Sequence, residues 1–227
     1  MKPELIVMLT HNDQTVENAI ELFDALKDSP VQHWGFKDVG LPATEMEKLV
    51  NRMKAAGKTT YLEVVSLSEA EGLAGARLAI DCNFDILMGT VYFDSIHALL
   101  KDSPVKYYPF IGHVHGHPSI LDGKLEDIVQ EVRSLEAQGL DGFDLLTYRY
   151  TGNAPELLKA VVAATQKVPV VSAGSIDTFQ RIAEVRDTGA WGFTIGTAFF
   201  TKKFVPDGSF RDNMMAVWDW VQEHGRP

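Results

Sequence analysis

The feature that most constrains this chain is an alternation of strand and helix patterns repeated eight times. Short runs rich in β-branched and apolar residues fall at 5–9, 33–37, 60–65, 85–88, 107–112, 142–146, 169–172 and 192–195. The ends of neighbouring runs lie 23 to 34 residues apart, close to what one strand, one helix and two short loops require. Stretches of helical period separate them, which is the pattern of a parallel sheet joined by crossover helices. Eight such units in 227 residues leave little room for a second domain. The expected fold is therefore of the α/β class, a single-domain (β/α)8 TIM barrel over residues 1–227.

An open, doubly wound sheet is the competing arrangement. It normally places a glycine-rich phosphate turn after its first strand. Here that turn is Thr10-His11-Asn12-Asp13-Gln14, without glycine, and no P-loop pattern occurs anywhere. The helical stretches are well marked. Leu125, Ile128, Val129, Val132 and Leu135 form one apolar stripe, and Met214, Val217, Trp218 and Val221 another. Capping boxes are expected where Thr44 precedes Glu47 and Ser68 precedes Glu71. Asn153 is placed to cap a helix with Pro155 in its first turn.

Composition narrows the function classes. With 31 acidic and 21 basic residues the formal charge is −10, which weighs against a nucleic-acid groove. One cysteine, Cys82, excludes an intrachain disulfide and fits a reducing compartment. Only five consecutive apolar residues precede the polar run from Thr10. A signal-peptide core is longer, and a membrane span needs roughly 20. These features read as a cytoplasmic protein without a membrane or nucleic-acid partner, and leave a homo-oligomer open.

In a barrel, chemistry sits at the C-terminal ends of the strands. The most specific signal is there, in Ser172-Ala173-Gly174-Ser175 and Ile195-Gly196-Thr197 after the seventh and eighth strands. Glycine lets the backbone approach an anion, so Ser172, Gly174, Ser175, Gly196 and Thr197 are candidates to ring a phosphate. Tight turns alone would also use these glycines.

This pair of turns resembles the phosphate-binding half of the ribulose-phosphate-binding barrel superfamily. That group includes ribulose-phosphate 3-epimerase, the histidine- and tryptophan-biosynthesis isomerases and N-acetylmannosamine-6-phosphate epimerase. The resemblance runs from Pro169 to Thr201 and implies a small phosphorylated metabolite as partner, not a particular reaction. The first half departs from the group. It has no Asp-x-Lys pair at a strand end like that of orotidine-phosphate decarboxylase and no Lys-Ile-Cys-Gly opening like phosphoribosylanthranilate isomerase. It also lacks the paired aspartates on strands one and five of the histidine-pathway isomerase.

Catalytic candidates therefore rest on their own chemistry. In His33-Trp34-Gly35-Phe36-Lys37 the bulky Trp34 and Phe36 suit the helix-facing side, which turns Lys37 inward near the mouth. An inward lysine can donate to a carbonyl, act as an acid or form a Schiff base. Glu63 interrupts an apolar strand, where a carboxylate is costly unless paired. Strands two and three are neighbours, so Lys37 and Glu63 can meet as an acid/base couple or as a structural salt bridge.

His113, His115 and His117 share one side if the strand continues and would then suit a divalent metal. Gly116 and Pro118 predict instead that the strand ends near His113 and a loop follows to Lys124, with His113 available for proton transfer. No other cofactor is expected. Arg149 can clamp a second anionic group such as a carboxylate, and His11 is a candidate polar contact to substrate. The expected activity is proton transfer beside the carbonyl of a small phosphorylated sugar or sugar-like metabolite, as in isomerisation or epimerisation. The alternatives are a Schiff-base aldolase or lyase using Lys37, or a non-catalytic barrel that binds a phosphometabolite.

Overall fold

The alternation closes on itself in the computed structural model, which describes residues 2–225. Strands β1 (Glu4–Met8), β2 (His33–Lys37), β3 (Thr59–Val64), β4 (Ile86–Val91), β5 (Lys106–Phe110), β6 (Phe143–Leu145), β7 (Val170–Ser172) and β8 (Gly192–Ile195) form a closed barrel. All neighbours pair in parallel, and β1 joins both β2 and β8. Around it run α1 (Ala19–Leu26), α2 (Ala43–Ala55), α3 (Glu69–Asp81), α4 (Asp94–Lys101), α5 (Leu125–Ala137), α6 (Ala154–Ala164) and α7 (Phe179–Thr188). A short α8 (Thr197–Phe200) follows β8, and α9 (Phe210–His224) completes the ring. The protein is a (β/α)8 barrel, as its periodicity implies. No helix among the described residues is long and apolar enough to cross a membrane.

Two hairpins interrupt the pattern at the C-terminal end of the barrel. One pairs Thr10–His11 with Gln14–Thr15, and the other pairs His113–His115 with Ile120–Asp122. The second replaces the loop expected after residue 113. The first turns on Asn12 and Asp13, both left-handed at φ 51° and 60°, a conformation these two residue types tolerate better than others. The helix starts also differ in one place. Thr44 lies inside α2, whose N-cap is Pro42 in extended geometry without a side-chain cap, so the box from Thr44 does not form. Ser68 does cap α3 by accepting the Glu71 amide, and Asn153 caps α6 with Pro155 in its first turn.

Strand alternation sorts the core into two layers. Ile6, Met8, Tyr61, Ile86, Met88, Tyr108 and Val171 fill the barrel interior. Trp34, Phe36, Leu62, Val64, Phe143, Leu145 and Phe193 lie between strands and helices. Gly35 sits on the inner face because Met8 and Tyr61 already occupy its space. A Cβ there would lie 2.8 Å from the Met8 sulfur and 2.9 Å from the Tyr61 Cβ. The inward positions above this apolar plug carry charge.

The loop between α8 and α9 is fixed by one side chain. Asn213 is fully buried. Its Oδ1 accepts the amides of Phe204 and Val205 at 3.0 and 2.9 Å, and its Nδ2 donates to the carbonyls of Val205 and Ser209, each at 3.0 Å. Asn213→Ala leaves these groups unpaired and is expected to cost at least about 2 kcal/mol. The measurement is the denaturant midpoint at constant slope; a loss below half that value would show that the loop finds other partners.

Candidate active site

Lys37 ends β2, and Glu63 stands opposite it in the register of β3. The Lys37 Nζ lies 3.2 Å from Glu63 Oε1 and 2.8 Å from Asp13 Oδ1. The same Asp13 oxygen receives Arg149 Nη2 at 3.2 Å. Asp13 comes from the tip of the first hairpin, and Arg149 ends the 3-10 turn Thr147–Arg149 that follows β6. Arg149 Nη1 also donates to the Ser119 carbonyl in the second hairpin at 3.4 Å. The side chains of Lys37 and Glu63 are each only 9 % exposed. Burial alone would lower the Lys37 pKa, but the charges of Glu63 and Asp13 outweigh it and raise it. Asp13 is held below the usual carboxylate range, because Lys37 and Arg149 overcome the opposing effect of its burial.

A third carboxylate completes the cluster. Asp144 sits in β6 between Phe143 and Leu145, which belong to the outer layer, so it faces the barrel interior. It is completely buried, and neither oxygen has a hydrogen-bond partner. Burial first, then the charge of Glu63, push its pKa well above the ordinary value against the pull of Lys37, Arg149 and the Gly89 amide. The mouth thus sets Lys37 and Arg149 against Asp13, Glu63 and this buried carboxyl group. Sequence reading passed over Asp144, although the signal that singled out Glu63, a carboxylate inside an apolar strand, is present there too.

These groups open on a cavity of about 330 Å³. Its lining includes Asp13, Lys37, Glu63 and Arg149 together with Gly174, Ser175, Gly196 and Thr197. Gly174 and Ser175 are left-handed at φ 77° and 58°. Gly174 is also pressed against Arg149, where a Cβ would lie 2.9 Å from the guanidinium Nε. Among the described residues, the amides of Gly174, Ser175, Ile176 and Asp177 find no acceptor. Asp177, which also lines the cavity, pairs its carboxylate with Arg181 at 2.8 Å. Thr197 Oγ1 accepts the Asn12 amide at 3.3 Å, and Lys203, absent from the sequence candidates, also lines the cavity.

Three sequence candidates do not reach it. Ser172 is buried beneath the mouth and donates to Thr147 Oγ1 at 2.7 Å. His11 packs edge-on against Phe200, its Nδ1 buried without a partner. His113 is exposed on the second hairpin. The histidine spacing does not make a shared site either. His113 and His115 lie side by side with ring centres 5.2 Å apart, and His115 Nε2 is 2.5 Å from Asp122. The chain then reverses at Gly116, φ 76°, and His117 lines a separate cavity of about 460 Å³ with Asp38, Ser66 and Glu71. Among the described residues no three His, Cys, Asp or Glu side chains form a ligand set.

No protein-family model matches the chain, and no curated protein matches it in sequence. Solved structures do match its fold. It is similar to orotidine 5'-phosphate decarboxylase from Pyrococcus horikoshii OT3 with a TM-score of 0.70 and 15 % identity, over 96 % of this chain and 99 % of that one. It is similar to N-acetylmannosamine-6-phosphate 2-epimerase from Clostridium perfringens with a TM-score of 0.63 and 14 % identity, over 88 % and 91 % of the two chains. The tryptophan synthase alpha chain from Legionella pneumophila subsp. pneumophila gives 0.69 and 13 %, over 100 % and 94 %. These likenesses show the fold, a (β/α)8 barrel over nearly the whole chain.

The raised Asp144 pKa has a signed consequence for stability. Once unfolded, the carboxyl ionises near pH 4; folded, it holds its proton to higher pH. Its favourable contribution is thus complete below about pH 4 and is lost as pH rises through the folded value. Asp144→Asn has no charge to bury, so its melting temperature relative to the parent should climb steadily as pH rises above 4. Thermal melts across that range make the test, and a difference that does not vary with pH would show that Asp144 is ionised in the native barrel.

Proposed function

We propose that this barrel is an enzyme that moves a proton beside the carbonyl of a small phosphorylated metabolite. The observation that carries the reading is the placement of an acid/base pair and a run of unpaired amides around one cavity. In this reading the phosphate lies on the amides of residues 174–177 and the Thr197 hydroxyl; Gly196 is required by Thr10, whose hydroxyl oxygen would lie 2.5 Å from a Cβ there. The carbonyl oxygen then meets Lys37 Nζ, and Glu63 takes a proton from the adjacent carbon. Lys37 gives a proton to the carbonyl oxygen as negative charge develops there. Glu63 returns its proton to the former carbonyl carbon, and Lys37 takes back the proton of the neighbouring hydroxyl, which becomes the new carbonyl and completes an isomerisation. An epimerisation would instead deliver a proton from a second group to the opposite face of the same carbon. Holding the phosphate orients the reacting carbon before the transfer, which can supply much of the barrier reduction.

The raised Lys37 pKa supports donation from a charged ammonium over attack by a neutral amine, and so favours this reading over a Schiff-base lyase. Two of the proteins with similar folds are named for phosphorylated compounds, in keeping with a phosphate ligand. Convergence of Lys37 and Glu63 in the mouth speaks for catalysis and against a purely ligand-binding barrel. The same reading takes the protein as cytoplasmic, without a cofactor and without a nucleic-acid or membrane partner.

The test begins with thermal shifts against a panel of phosphorylated sugars and sugar acids, since a bound ligand raises the melting temperature. Ligands that bind are then followed by NMR in heavy water. The hydrogen beside the carbonyl should exchange in the presence of the parent protein and at least about 100-fold more slowly with Lys37→Ala or Glu63→Gln. Borohydride treatment should leave Lys37 unmodified. Exchange that survives both substitutions removes the pair from the reaction, and a reduced adduct on Lys37 replaces proton transfer with Schiff-base chemistry.

A further inference from the structure

Resting on that reading of the cavity, we propose that the substrate also carries a carboxylate, which takes the place of Asp13 between Lys37 and Arg149. One oxygen, Asp13 Oδ1, is held by two cations that come from β2 and from the turn after β6, on opposite sides of the barrel. Such a fork recognises an anionic oxygen strongly, and its present occupant belongs to the chain itself.

The mounting of that occupant is light. Asp13 stands on neither a barrel strand nor a helix but at the two-residue tip of a hairpin. Both tip residues are left-handed without being glycine. Besides the two cations, the tip is held by the Asn12 amide on Thr197 Oγ1, the hydroxyl assigned above to the phosphate. A ligand that engages Thr197 with its phosphate competes for one hold, and a carboxylate competes for the other.

Position and charge agree. Arg149 rests on Gly174, so its guanidinium lies between the phosphate turn and Lys37. A molecule anchored by phosphate at residues 174–177 lays its far end across both cations. If Asp13 leaves, Arg149 keeps no carboxylate partner among the described residues and Lys37 keeps only Glu63 in contact. A neutral hydroxyl end would leave the guanidinium without a counter-charge, which is costly; one carboxylate supplies it. The substrate class is thus a phosphorylated hydroxy- or oxo-acid, not a phosphorylated polyol.

Calorimetric titration with two probes of equal carbon count tests this: glycerol 3-phosphate and 3-phosphoglycerate, which differ in an alcohol against a carboxylate. The parent protein should bind 3-phosphoglycerate at least about tenfold more tightly, although the net charge of −10 opposes the more anionic ligand. Asp13→Asn, which removes the competing charge, should widen the preference, and Arg149→Gln should abolish it, with circular dichroism confirming that both variants fold. Equal binding of the probes by the parent overturns the proposal while leaving the phosphate site standing. A preference that Asp13→Asn leaves unchanged or reduces overturns the displacement of Asp13. Binding of neither probe removes the phosphate reading and the proposal together.

Discussion

Lys37 is an ammonium taken almost wholly out of water, and the groups that make this tolerable come from distant parts of the chain. Glu63 arrives on the neighbouring strand, Asp13 on a hairpin, and Arg149 from the far side of the barrel by way of Asp13. Removing a charge from solvent costs several kcal/mol, and stripping one partner from a buried pair costs about 3–5 kcal/mol. The hairpin tip, two strands and the turn after β6 are therefore held in one geometry by one charge. A cluster of this kind is a poor way to gain stability, since apolar side chains of the same volume often do as well. Its value lies in what it positions.

The inner face of β2 shows how sharply a barrel can grade its interior. His33 at the lower end is buried against the Tyr61 hydroxyl at 2.9 Å and the Trp191 ring, and burial takes its pKa down to about 4 against the pull of Asp85. Lys37, one inward position above Gly35 and four residues beyond His33, is charged because carboxylates touch it. One strand thus presents a neutral imidazole below and a cation above. What separates them is how closely carboxylates approach: Asp13 and Glu63 lie 2.8 and 3.2 Å from Lys37 Nζ, whereas Glu4 stands 3.7 Å from His33 Nε2.

Much of this was legible in the sequence, and the exceptions have physical causes. Period-two alternation turned Trp34 and Phe36 outward and so placed Lys37 and Glu63 on adjacent strands facing in. Glycine punctuation marked Gly174 and Gly196. The pairing of Asp13 with Arg149 spans 136 residues and depends on barrel closure, which no local pattern encodes. Asp144 lies a full residue before the strand end, where the polar residues of a barrel mouth are sought, yet carries the same mark as Glu63, a lone carboxylate inside an apolar strand. The histidine run misled for the opposite reason. Spacing of two implies a common face only while the chain stays extended, and it reverses at Gly116. Thr44 was displaced as a cap because the extended geometry at Pro42 had already started the helix.

The apolar plug formed by Ile6, Met8, Tyr61, Ile86, Met88, Tyr108 and Val171 has a kinetic consequence. It stoppers the barrel axis, so the mouth is both entrance and exit. A molecule formed inside must leave through the door its precursor used before another can come in, past the same hairpins and the same charges. Whatever holds a ligand in place for reaction also delays its departure. In the proposed reaction, tight grip at Arg149 and at residues 174–177 would therefore trade speed of turnover for residence time, and a looser mouth would do the reverse.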